Sequence, residues 1–147
     1  MDKFTKAKRS EIMSAIRGKD TLPERIVRSF LFRKGFRFRV CDKRLPGKPD
    51  IVLPKWKTVV EVRGCFWHRH GCAESTRPKT NRAFWTRKFK ANVARDRRNE
   101  KALTEAGWNV IVVWTCGLAP ARREKTLIEV LRLLRGKTFE HGRRKGE

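Results

Sequence analysis

The eight residues from Cys65 to Cys72 hold two of the chain's four cysteines and two of its three histidines, with Phe66 and Trp67 among them. A soluble chain that places Phe-Trp beside Cys and His on a short segment must tie that backbone down, and a metal ion does so. Cys65, His70 and Cys72, with Cys116 further on, offer a tetrahedral zinc site, and His68 is an alternative nitrogen ligand to His70. Three thiolates and one imidazole fill the coordination sphere, so such a zinc is structural. The competing reading is ordinary thiols, like Cys41, which needs no metal. Two rings held on a pinned loop are then available to stack on a ligand.

The charge balance says which ligand. The 147 residues carry 38 Lys and Arg against 15 Asp and Glu, a formal net charge of +23. That excess calls for a polyanionic partner, and nucleic acid is the leading one because phosphate neutralisation releases counterions. An anionic membrane surface is the weaker alternative. No apolar run approaches a membrane span, and residues 1–10 lack the apolar segment of a signal peptide. The expected location is therefore the cytoplasm, beside the nucleoid, where cysteines are seldom paired in disulfides.

The length fits one domain, residues 1–140, followed by a basic tail, 141–147, without a core pattern. Ile12, Met13 and Ile16 predict a short helix over 8–18. Thr21-Leu22-Pro23-Glu24 resembles a capping box opening a helix to about Lys34, stopped by Gly35. Phe36 to Val40 alternates as a half-buried strand, Asp50 to Leu53 is a second and Lys57 to Val62 a third. Residues 65–80 read as loop. Asn81 caps a long helix to about Ala106, and the apolar run Trp108 to Trp114 is a fourth strand, expected to be central. A closing helix spans Lys125 to Leu134. The expected fold is α/β, a mixed sheet flanked by helices, with a right-handed crossover through the long helix.

Two further constellations carry chemistry. Asp50 opens a strand, Glu61 lies near the end of the next, and Arg63 follows two residues later. Carboxylates on neighbouring antiparallel strands can share a hard cation such as Mg²⁺, and Glu24 can supply another. Arg63 can hold a phosphate oxygen. The plainer reading makes Glu61 and Arg63 solvent-side strand residues and Asp50 a turn cap. Then, in 82–101, eight Lys and Arg face Asp96 and Glu100, and Phe84 and Trp85 sit in the helix's first turn. Aromatic wedges that unstack a base step cost a few kcal/mol, offset by contacts with the kinked duplex. Phe89 and Val93 are read instead as the helix's core stripe.

Taken with Asp20-Thr21-x-x-Glu24, Leu45-Pro46-Gly47-Lys48-Pro49-Asp50, Gly64-Cys65-Phe66-Trp67-His68, His70-x-Cys72, Asn92-x-x-Arg95-Asp96 and Trp114-x-Cys116, the chain resembles the very short patch repair (Vsr) endonucleases, a branch of the restriction-endonuclease-like superfamily. The resemblance runs from about Arg9 to Cys116. It implies nicking of DNA on the 5′ side of the thymine in a T:G mismatch, the product of 5-methylcytosine deamination. It implies that Asp50 binds Mg²⁺ with the carbonyl of Val62, that Glu24 assists through the metal's water, and that His68 acts on water or on the leaving group. It further implies zinc on Cys65, His70, Cys72 and Cys116, wedging by Phe66, Trp67 and Trp85, base reading by Lys88 and Asn92, and approach of Met13 to the minor groove. Mismatch-repair proteins and a cytosine-5 methyltransferase are implied partners, and a monomer is the simplest state, since one site makes one nick.

One departure stands out. Well-known members carry Thr-His where this chain has Val62 and Arg63. An arginine cannot serve as a general base. The pattern is closer to Asp plus Glu-x-Lys with Arg63 in the lysine's place, so Glu61 is expected to join the metal. Three classes of function fit the residues: a mismatch nicking enzyme, another nuclease of the superfamily, and a zinc-containing nucleic-acid-binding module without catalysis. The last leaves Asp50, Glu61 and His68 idle.

Overall fold

The computed structural model describes residues 21–73 and 76–144, with side chains through Gly136. The predicted helix over 8–18, and Met13 with it, lies outside the described residues. The order is α1 (Leu22–Arg33), β1 (Arg39–Val40), β2 (Ile51–Leu53), β3 (Thr58–Arg63), α2 (Cys65–His68), α3 (Arg82–Glu105), β4 (Asn109–Trp114) and α4 (Arg123–Arg144). The four strands form one sheet in the order β1-β2-β3-β4, antiparallel except for the parallel β3–β4 pair.

Strand alternation sorts the side chains into two layers. Ile51, Leu53 and Val60 join Val27, Leu31, Leu127, Val130 and Leu134 in the main core, under α1 and α4. Val52 and Val59 face the other way and pack with Leu103 of α3. Asp50, Glu61 and Arg63 share the parity of Val52 and Val59, so their side chains emerge on the α3 side. The antiparallel register Ile51↔Val60 sets Asp50 opposite Glu61 one step further along. The parallel register Arg63↔Trp114 likewise sets Cys65 level with Cys116 just beyond the strand ends.

Several sequence expectations are corrected. β4 is an edge strand among the described residues, not a central one. The first strand shrinks to Arg39–Val40: Phe36 and Phe38 still turn toward the core, but only Arg39 and Val40 pair with β2. Neither Thr21 nor Asn81 makes a side-chain cap hydrogen bond, and Glu24 is buried, 4% exposed, not a capping-box partner at the surface. The stretch read as loop contains a turn of helix at Cys65–His68. The closing helix begins at Arg123 and runs to Arg144.

The turn before Asp50 tests backbone strain. Gly47 has φ +73°, and a Cβ built there meets the Asn99 side chain at 2.6–2.9 Å. Gly47→Ala is therefore expected to cost about 1–2 kcal/mol from the left-handed backbone alone, with a further shift of Asn99 on α3. A melting temperature unchanged within a degree would show that this close approach is not needed.

Candidate active site and metal centre

One cleft of about 170 Å³ is lined by Glu24, Gly47, Lys48, Pro49, Asp50, Glu61, Val62, Arg63, His68, Asp96 and Asn99. α1, the turn before β2, β3, α2 and α3 each contribute to it. The Val62 N–H donates to Asp50 Oδ2 at 2.7 Å, which fixes one carboxylate oxygen. Burial pushes the Asp50 carboxyl up to about 7. The Val62 N–H pulls it back, and the charges of Glu24 and Glu61 push it further up. Arg28 lowers it only slightly, so a carboxyl crowded by two others in a half-buried cleft is one that a divalent ion would favour in its charged form.

Glu61 is less free than the sequence implied. Arg63 donates to Glu61 Oε2 from Nη2 at 2.6 Å and from Nε at 3.1 Å. The same Nη2 reaches Glu100 at 3.4 Å. Arg63 is only 9% exposed. Burial works against its charge, but Glu61, Asp96 and Glu100 outweigh that and raise its pKa. In this structure Glu61 answers Arg63, whereas Asp50 answers the Val62 N–H.

His68 has a partner that sequence reading did not assign. Its Nδ1 lies 2.6 Å from Asp96 Oδ2, a residue of α3. A carboxylate on Nδ1 fixes the ring and directs Nε2 outward. Asp96 stood in the sequence as one acid among many bases, and the only signal was its place in the Asn92-x-x-Arg95-Asp96 string.

Beyond the cleft, Cys65, His70, Cys72 and Cys116 bring one donor atom each to within 4.8 Å of one another. His70 Nδ1 is 3.7 Å from Cys65 Sγ and 3.4 Å from Cys116 Sγ. Such spacings suit four ligands around one tetrahedral ion, whose metal–ligand bonds are about 2.0–2.3 Å. His70 also stacks on Trp114, with centroids 4.2 Å apart and planes 9° from parallel. Burial, then the neighbouring Cys65 and Cys72 thiols, pushes Cys116 up to about 11. Three sulfurs and one ring nitrogen gathered this closely form a site that a cation would complete. The choice between the two histidines thus resolves in favour of His70, because Asp96 engages His68.

The rings expected to stand free form a half-buried cluster. Phe66 meets Trp67 edge-on at 5.1 Å, and meets Trp85 at 5.7 Å and Phe89 at 5.2 Å. Phe89 is buried, as the core-stripe reading had it, whereas Phe66, Trp67 and Trp85 keep a solvent face. Lys88 is exposed. Asn92 is 8% exposed and donates its amide to the Trp67 carbonyl at 3.1 Å, so in this structure it holds the aromatic segment in place.

Residues 1–74, half of the 147, match the family model for the DNA mismatch endonuclease Vsr. The chain belongs to the Vsr family. This family member is 53% identical over 117 residues to the type II nicking enzyme V.NmeAIP of Neisseria meningitidis, covering 80% of this chain and 84% of the relative. It is 48% identical to the type II nicking enzyme V.XorIIP of Xanthomonas oryzae, covering 80% and 87%. To the DNA mismatch endonuclease Vsr of Escherichia coli K12 it is 44% identical over 130 residues, covering 88% and 82%. The mixed sheet with flanking helices is the restriction-endonuclease-like fold expected of the family, and the chain is an endonuclease acting on DNA. Among the described residues, no helix is long and apolar enough to cross a membrane.

Proposed function

We propose that this endonuclease requires Mg²⁺ and nicks one strand of double-stranded DNA on the 5′ side of the thymine in a T:G mismatch. The observation that carries this reading is the single cleft that joins Asp50, Glu24, Arg63 and the Asp96-held His68. His68 belongs to the same short helix as Phe66 and Trp67. Chemistry and base-step opening are thus built into one rigid segment.

Asp50 and the Val62 carbonyl would hold the ion, with Glu24 assisting and Glu61, ion-paired with Arg63, beside them. A bound Mg²⁺ supplies charge stabilisation to the phosphate and lowers the pKa of a water. His68, oriented by Asp96, moves a proton at the attacking water or at the leaving oxygen. Arg63 is fixed and always charged, so it steadies a phosphate oxygen without a titration of its own. Zn²⁺ on Cys65, His70, Cys72 and Cys116 is structural. Phe66, Trp67 and Trp85 part the flawed pair, and Lys88 lies on the exposed side of α3, placed to meet a base edge or a phosphate.

The test is strand-resolved mapping on end-labelled T:G and T:A duplexes, each with Mg²⁺ and with chelator. One cut is expected, on the thymine strand, only with the mismatch and only with Mg²⁺. Equal cutting of the paired duplex would remove mismatch recognition. Product formed under chelator would remove the metal, and cutting of both strands would favour a restriction-type activity.

A further inference from the structure

Arg69 lies between His68 of the cleft and His70 of the metal cluster, and no role has been assigned to it so far. It ends α2 in the left-handed region, φ 54° and ψ 60°, with its backbone N–H on the Cys65 carbonyl. A non-glycine residue in that conformation carries a cost of about 1–2 kcal/mol, which surrounding contacts must over-determine. The contacts are present. Arg69 Nη1 donates to the Phe66 carbonyl at 3.1 Å and to the Thr76 carbonyl at 3.0 Å. Its guanidinium lies over the Phe89 ring, 4.2 Å from the centroid, and 5.8 Å from that of Phe66.

Those contacts complement the Asn92 clamp. The last carbonyls of a helix have no partner within the helix. Here the Phe66 carbonyl is taken by Arg69 and the Trp67 carbonyl by Asn92. Each wedge residue is therefore anchored at its own backbone, one from within the loop and one from α3. The Thr76 bond also ties the returning chain to the same guanidinium.

We propose that Arg69 is a positioning residue for the wedge: it locks Phe66 and Trp67 in the pose that opens a mismatched step, and it does so without touching DNA. This rests on the reading of those rings as a wedge. An unlocked pair of rings must be ordered during binding, and that cost falls only on substrates whose step must be opened. A cation–π contact and a hydrogen bond to a charged donor together correspond to roughly ten- to a hundredfold in rate.

The experiment uses the full chain with Arg69→Met and Arg69→Lys. Single-turnover nicking is measured on the T:G duplex, on the T:A duplex, and on a duplex whose step is already unstacked by an abasic site opposite the thymine. Arg69→Met is expected to slow T:G nicking at least tenfold and to leave the abasic substrate within about threefold of wild type. Arg69→Lys is expected to lie in between, since a single ammonium cannot cover both the ring and the two carbonyls. Equal loss on the abasic substrate, or no loss on T:G, overturns the proposal. So does a salt dependence of DNA binding whose log–log slope falls by about 0.9 in Arg69→Met, which marks a direct phosphate contact. Acrylamide quenching of tryptophan fluorescence in the DNA-free proteins reads the ring pose without any cleavage and is expected to rise in Arg69→Met. A wild-type protein that cuts T:A and T:G alike would overturn the mismatch reading, while the quenching comparison still decides whether Arg69 holds the rings.

Discussion

Asp50→Asn is expected to lower nicking at least about a thousandfold and, at pH 8, to make the metal-free protein more stable. The first effect follows from the position of Asp50 in the cleft. Losing several kcal/mol of charge stabilisation at the phosphate corresponds to about three orders of magnitude in rate. The second follows from its environment. The Asp50 carboxyl sits at about 7 in the folded protein against an ordinary 3.8, because of burial and then the neighbouring Glu24 and Glu61. As pH rises, the unfolded chain releases this proton first. Between about pH 4 and pH 7 the folded state therefore binds more protons, and stability falls with rising pH.

The full difference corresponds to about 4 kcal/mol as an upper bound. Solvent entering the open cleft reduces the expected gain for asparagine to about 1–2 kcal/mol, or roughly 2–8 °C in Tm. That gain is absent near pH 4 and complete above pH 7. Added Mg²⁺ is expected to raise the Tm of the wild type more at pH 8 than at pH 5.5, and to leave Asp50→Asn unmoved. Thermal scans across pH, with and without Mg²⁺, check both signs. A variant that is less stable than wild type at pH 8, or that nicks normally, contradicts the account of the cleft.

Local signals made part of this site legible. Asp50 follows a Pro-Gly-Lys-Pro turn, and strand alternation put it on the face of Glu61 and Arg63. The parallel step from Arg63 to Trp114 brought Cys116 level with Cys65, as the expected convergence of strand ends required. What stayed hidden was set by pairings between distant elements. His68 and Asp96 are 28 residues apart on different helices. No spacing rule links them.

β4 was misplaced for a related reason. An apolar run reports two covered faces, not two paired edges. Ile111 and Val113 face the main core, whereas Val110 packs with the cluster under α3. Both faces are covered although only one edge is bonded. Glu61 was read as a ligand because its chemistry allows it, and only side-chain geometry showed Arg63 already on it.

The metal cluster carries the second large effect. Cys65 starts α2 where β3 ends, and Cys116 follows β4, so an ion shared by them would bolt the ends of two strands together and fix the helix that carries Phe66, Trp67 and His68. Cys116→Ser is expected to abolish stoichiometric zinc, measured by elemental analysis, and to lower stability by about 3–5 kcal/mol, roughly 6–20 °C in Tm. The fold has its own core under α1 and α4, so the variant is expected to remain folded at low temperature. Its mismatch nicking is nevertheless expected to fall, because the wedge and His68 depend on the pinned segment. Cys41→Ser serves as the control and should leave zinc content unchanged, since Cys41 lies outside the cluster. Full zinc occupancy in Cys116→Ser would falsify the ligand set. An unchanged wild-type Tm after complete zinc removal would show instead that the sheet and helices hold the wedge segment without the ion.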